Sequence, residues 1–375
     1  MIIKTNFFSK VYMALIVVML LIFSLQNSFL IKFSNIYTLL GYASIVLLVL
    51  VIFIKKESFN LFIKNKVIVI LFFFAILQLI IVLLLKGLGQ TDNMPYIRDV
   101  FLILTFVYLG FNEEENYFKY LFYFIVFLSL SALSIIIFVA GGLTISEQYL
   151  SIPKNQIAPI FVQGIISGIF YLNEKQPKNI RRYITFISLA ILVVTLLILR
   201  GRTAMLALAL CSTLFIFLYI KSKKGRLYVL VAMIPLIVYF SPTIYRSFFL
   251  NYDVSESDSF TAGRTSVYNE AILILENNPL MGKLFQNSDV SSQIHNYILS
   301  IYFELGIFSL PLLIIYILLL YQVYKMIKLR KISGLLLLVL FITSLSEYTF
   351  PYSPGSATFF AFFLYGMNLK TLNSK

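Results

Sequence analysis

Apolar runs of about 20 residues recur along this chain, each long enough to cross the hydrocarbon core of a bilayer as a helix. Such a chain has few folds open to it. In lipid every backbone N–H and C=O must be satisfied inside the protein, which leaves helices or closed barrels. The runs here are continuous, without the polar/apolar alternation of barrel strands, so the expectation is helical. Sixty per cent of residues are hydrophobic and 12% are charged, roughly half the charged share of a soluble chain. The reading is an all-α, polytopic membrane bundle of about twelve spans in a single domain over residues 1–375. The spans are expected near 11–30, 36–54, 67–85, 97–111, 117–140, 157–172, 183–199, 204–220, 227–241, 296–320, 334–349 and 357–369. The fourth and the last are short. No small-x-small cleavage site closes the first run, so it reads as an uncleaved span.

Charge sets the expected orientation. An N-terminus on the inner side puts 21 of the 30 Lys and Arg on inner segments and 9 on outer ones. The inner clusters are Lys55/Lys56/Lys64/Lys66, Lys175/Lys178/Arg181/Arg182, Lys221/Lys223/Lys224/Arg226 and Lys325/Lys328/Arg330/Lys331. This positive-inside bias places both termini in the cytoplasm. It also accounts for the net charge of +14 without a nucleic-acid partner. The longest outer loop then runs from Ser241 to Gln293, between spans nine and ten. Within it Val267, Ala271, Ile274 and Leu275 fall at helical spacing, so an amphipathic helix is expected from about Thr265 to Glu276, lying on the membrane interface. Asn278-Pro279 ends it.

Three places carry unusual chemistry. Arg200-Gly201-Arg202 sits at the outer turn before span eight, against the charge bias. Arginines there either snorkel to the interface or, with Gly201 and the helix N-terminus, bind phosphate or pyrophosphate. Arg264 precedes the amphipathic helix and is either solvated or a second such cation. Arg98, Arg246 and Lys283 are outer cations with the same bland reading. His295-Asn296 precedes span ten, and His295 is the one histidine of the chain. An interfacial histidine is often only a hydrogen-bonding residue, yet imidazole is the natural general base near neutral pH. Asn296 would orient it or a hydroxyl. Glu304 lies nine residues on, about 13 Å along a helix, and reads as an ion-pair or hydrogen-bonding residue within the bundle. Glu347, near the outer end of span eleven, is a further candidate base. One His and one Cys build no metal site of the usual spacing, and no cofactor is expected. Gly164 and Gly168 form a GxxxG, read as a close helix contact.

The order of these pieces resembles the O-antigen ligase/polymerase superfamily. LLILRGRTAMLALAL is similar to its Arg-Gly segment leading into an apolar helix. AGRTSVYNEAILILENNPLMGK is similar to its loop pattern, with Tyr268 where many members carry Trp and Met281-Gly282-Lys283 where Gly-x-Gly is common. IHNYILSIYFELGIFSLPLL is similar to its His-Asn block. The resemblance covers roughly 195–320 and implies a membrane glycosyltransferase with a GT-C-like bundle in the bacterial cytoplasmic (inner) membrane. It implies undecaprenyl-pyrophosphate-linked glycans as substrates, and a flippase and a chain-length regulator of the same pathway as possible partners besides the lipid bilayer. It also implies Arg200, Arg202 and Arg264 around the pyrophosphate and His295 as base, without a metal. Three functions stay open: a Wzy-like repeat-unit polymerase, a ligase moving finished glycan to lipid A–core, and a transporter or flippase. Transporter folds usually show two matched halves, and none is visible here.

The topology is testable. A single cysteine at Ser257, in a Cys211→Ala background, should react with a membrane-impermeant maleimide in intact cells. Labelling only after the cells are opened would invert the assignment.

Overall fold

The structure, a computed structural model, describes residues 2–25, 56–87, 94–113, 117–141, 154–178, 180–199, 201–220, 264–284, 294–345 and 356–373, with a few more between 222 and 231. Spans two and nine, at 36–54 and 227–241, lie outside or almost outside the described residues, as do Arg200 and Glu347. The described helices, numbered in chain order, are α1 (Ile2–Leu25), α2 (Lys56–Ile63), α3 (Lys66–Gly87), α4 (Met94–Phe111), α5 (Tyr117–Ala140), α6 (Lys154–Lys175), α7 (Ile180–Leu199), α8 (Arg202–Tyr219), α9 (Arg264–Asn277), α10 (Tyr297–Leu305), α11 (Leu310–Lys328), α12 (Ile332–Ser344) and α13 (Ser356–Asn373). Among the described residues there is no strand. The protein is an all-α polytopic membrane protein. Five stretches of the described chain are long and apolar enough to cross a membrane: Lys66–Leu85, Tyr117–Ala140, Ile157–Lys175, Ile180–Leu199 and Tyr297–Lys328.

Lipid supplies no hydrophobic drive between helices, so small residues and polar bonds hold them. The GxxxG of α6 does what its spacing implies. A side chain at Gly164 would meet Leu128 of α5 and Leu192 of α7, each at 3.0 Å, and one at Gly168 would meet Leu189 at 2.6 Å. The two short spans, α4 and α13, are a pair. The space at Gly110 is filled by the Phe363 carbonyl, and the space at Gly366 by the Val107 carbonyl. Their backbones touch, so 18 residues each suffice for a tight contact. Gln163 Nε2 of α6 donates to the Leu336 carbonyl at 2.8 Å, and Ser188 of α7 bonds Ser129 of α5 at 3.1 Å.

These contacts fix directions. α8 runs parallel to α6, with Gly201 against Ala158 at one end and Tyr219 against Phe170 at the other. The ring contacts Phe118–Phe170 and Tyr120–Phe363, with the Asn368–Ser333 bond, put the start of α12 at the Phe170 end. α12 therefore opposes α6 and α8, and Leu345 at its close lies at the Gly201 end. The basic ends, Lys175 of α6, Arg181 and Arg182 of α7 and Lys325 and Lys328 of α11, gather at the opposite end.

Three elements depart from the sequence reading. Span ten is broken: α10 stops at Leu305, a 3₁₀ turn covers Gly306–Ser309, and α11 restarts with Pro311 in its first turn, where the missing N–H has no consequence. Span eleven is described only as far as Leu345; its described helix, Ile332–Ser344, has 13 residues, about 20 Å, and is buried nearly all round. It is a core helix walled by its neighbours. The short helix α2 is an addition. Basic residues mask it in the sequence, but Phe62 inserts between Tyr108 and Phe111, with centroids 4.9 and 5.4 Å away.

Gly366→Val should force the α4 and α13 backbones apart. Overpacking of this kind costs about 1–3 kcal/mol. The expected result is a lowered thermal midpoint in detergent with membrane insertion retained; an unchanged midpoint would contradict the contact.

Candidate functional site

The polar segment that stood out in the sequence is built on α10. Asn296, extended at φ −157°, caps the helix: its Oδ1 accepts from Leu299 N at 3.0 Å and its carbonyl from Ser300 N at 2.8 Å. Asparagine is among the best residues for that position. Its Nδ2 is then free to turn outward, and donates to the Leu345 carbonyl at 3.3 Å. One side chain thus starts α10 and ties it to the end of α12. Glu347 follows Leu345 by two residues, outside the described chain. Asn296 thereby fixes the start of α10, directly after His295, against the end of α12.

The loop helix docks on the same segment. Tyr268 of α9 donates its hydroxyl to the His295 carbonyl at 2.8 Å. Beneath that bond Ala271, Ile294 and Phe303 are fully buried, with Val267, Ile274, Leu275 and Leu299 packed around them. The apolar face expected from spacing is the face that is buried. It lies on protein, against α10, while Ile272 and Leu273 on the other side stay exposed. The helix ends at Asn277, as the Asn-Pro pair requires.

Arg264 opens α9, one turn before Tyr268. The rise between them is only about 6 Å. The start of α9 is therefore brought close to His295 although 31 residues separate Arg264 from it. Arg202 likewise opens α8, at the end of the bundle where Leu345 and Asn296 lie. The side chains of Arg202 and Arg264 are outside what is described. Gly201 is buried, and the space beside it goes to the Ala158 side chain, 2.8 Å from where a Cβ would stand. Its close approach is to α6, so a packing role is sufficient to explain it.

Glu304 does not turn to His295. Its Oε1 takes Lys283 Nζ at 2.6 Å, the ion pair expected of a carboxylate in this setting. Lys283 had looked like an ordinary surface cation. It belongs to a strap, residues 278–284, that continues α9 and is bound to the end of α10. Lys283 N donates to the Phe303 carbonyl at 2.8 Å, Ile307 N donates to the Leu280 carbonyl at 2.7 Å, and Tyr302 donates to the Pro279 carbonyl. Gly282 (φ +60°) and Gly306 (φ +54°) face each other across this seam, and a side chain on either would strike the opposite backbone. Tyr268, Lys283 and Tyr302 were not picked out as site residues from the sequence. The two glycines, 24 residues apart, were the signal that two backbones meet.

The site's segment is also what known proteins share. Residues 187–314 match the family model described as O-antigen ligase. That match, over about a third of the chain, supports a likeness of this segment to the O-antigen ligase/polymerase superfamily. The match contains the Arg-Gly turn, the loop helix, the strap and the His-Asn segment, and so coincides with the docked region. No curated protein matches the chain.

Asn296→Ala removes both the cap and the tie to α12, whereas Asn296→Ser keeps a capping oxygen and loses the reach. A lost cap costs about 1 kcal/mol. The alanine protein should melt below the serine protein in detergent; equal midpoints would mean that the cap carries no weight.

Proposed function

We propose that this protein is a membrane glycosyltransferase that polymerises undecaprenyl-pyrophosphate-linked repeat units on the outer face of the bacterial cytoplasmic membrane, for O-antigen, capsule or exopolysaccharide. The observation that carries this reading is the docking of α9, opened by Arg264, onto the carbonyl of His295. It brings an arginine-bearing helix N-terminus to the one histidine, in the segment shared with the family.

The chemistry follows from these groups. A sugar hydroxyl of the incoming unit attacks the anomeric carbon of the growing glycan. The new C–O bond forms as the bond to pyrophosphate breaks, and the leaving oxygen keeps the electron pair. His295 takes the hydroxyl proton, a contribution of about 10²–10⁴ in rate for a positioned general base. Arg264, with Arg200 and Arg202, meets the charge that grows on the pyrophosphate. Guanidinium forks suit that task better than ammonium groups. Exposed apolar side chains beside the strap, Leu280, Met281, Ile307 and Leu310, give the lipid carrier a hydrophobic approach.

A ligase reading is favoured by one observation, the family's own description as an O-antigen ligase. The two reactions share donor and leaving group and differ in acceptor, so a variant separates them. In cells, His295→Ala should leave single repeat units in place of a ladder of long chains. Accumulation of full-length glycan on the lipid carrier would instead identify a ligase. A normal ladder would remove His295 from catalysis and leave Glu347 as the next base to examine.

The arginines give a second test. Arg264→Lys, and at least one of Arg200→Lys or Arg202→Lys, should lower elongation by about 10²–10³, the usual effect of losing one donor at a developing charge. Wild-type elongation in all three would make them interfacial anchors.

A further inference from the structure

The Lys283–Glu304 pair is built with more care than an ordinary surface ion pair. The two atoms are 2.6 Å apart, and the side chains are only 26% and 10% exposed. The Lys283 ammonium also lies 5.6 Å from the centre of the Phe303 ring, so the pair sits over an aromatic face. Removing one partner of such a pair strands the other in a poorly hydrated place.

The consequence depends on where the pair stands. It lies at the far end of α9 from Arg264. The 14-residue helix is about 21 Å long, and the strap continues directly from it. The chain is continuously bonded there: Asn278 N donates to the Ile274 carbonyl and Gly282 N to the Asn278 carbonyl, both at 3.0 Å. α9 thus has two mounts, the Tyr268–His295 bond near its start and the strap beyond its end. A tilt of about 5° at the strap moves the opposite end by about 2 Å over that length. Misplacement by 1 Å can cost a reaction about 10²-fold. The apolar cluster of Ala271, Ile294 and Phe303 favours contact but not one register, since hydrophobic burial is non-directional. A charge pair has a defined length and direction, and fixing register is the best-attested use of a buried one.

We propose that Lys283 and Glu304 are positioning residues that set the angle of α9 on α10, and so the placement of Arg264 against His295. The proposal rests on the reading of those two residues as one transfer site. One of the three donors of the Lys283 ammonium is held by Glu304, which gives the lysine a structural role apart from any ligand.

The test is a double-mutant cycle with two readouts, on the full chain in lipid nanodiscs in a Cys211→Ala background. Spin labels on Leu273→Cys and Ile298→Cys, both exposed positions, report the α9–α10 distance whether or not the protein is active. Transfer from a synthetic lipid-pyrophosphate glycan reports kcat and KM. The parent should give one narrow distance. Lys283→Glu and Glu304→Lys should each broaden it and lower kcat by about 10²-fold with little change in KM. The exchanged pair should narrow the distance again and recover most of kcat. A phosphate-binding lysine would not be rescued this way. If a single-charge variant fails to insert, Lys283→Gln with Glu304→Gln takes its place and should broaden the distance likewise. A distance that stays narrow in the variants, or one that broadens with kcat unchanged, overturns the proposal. A parent that transfers no glycan would overturn the proposed function instead, and the distance arm still decides whether the pair positions α9.

Discussion

Where α10 ends, Gly306 turns with a positive φ, and the carbonyl of Leu280 occupies the space any side chain would need. The rest of the site depends on this seam. Gly282 makes the reciprocal approach from the strap, against the carbonyls of Phe303 and Tyr302. Two backbones in contact exchange hydrogen bonds at Lys283–Phe303 and Ile307–Leu280. Each is worth about 1 kcal/mol net, and more where water is scarce and the alternative is an unpaired group. The break in span ten is therefore a docking device. A continuous helix would leave no freed N–H at Ile307 for the strap to bind.

The same economy runs through the bundle. Gly110 and Gly366 let two short helices share one backbone contact, and Gly164 and Gly168 seat leucines from both neighbours. Buried amides then bond carbonyls of facing helices, as Gln163 does to Leu336. Where a polar side chain caps one helix and bonds another, it fixes both. Asn296 does this at the site, and holds His295 by holding its neighbour. His295 is held through its main chain by Tyr268.

Much of this was legible in the sequence. Continuous apolar runs gave the helical class, and the periodicity of Val267, Ala271, Ile274 and Leu275 gave α9 and its buried face. The Asn-Pro pair gave its end, and the GxxxG its role. What the periodicity could not name was the protein partner of that face, Ile294 and Phe303: an amphipathic pattern states that a face is apolar, and protein and lipid satisfy it equally. The break at Gly306 was hidden because hydropathy stays high across it. Lys283–Glu304 was hidden because a charge pair 21 residues apart has no period. The grouping of Arg264 with His295 came from resemblance, and α9 supplies its physical reason.

Under the proposed function the start of α9 and the His295 segment face one lipid-pyrophosphate. A polyprenyl-pyrophosphate bearing a photoreactive group next to the phosphates tests it most directly, with labelled peptides mapped by mass spectrometry. Label is expected on the peptide around Arg264 and on the peptide around His295, both displaced by unlabelled lipid pyrophosphate. Label confined to the basic end of the bundle, around Lys175 to Arg182, would contradict it.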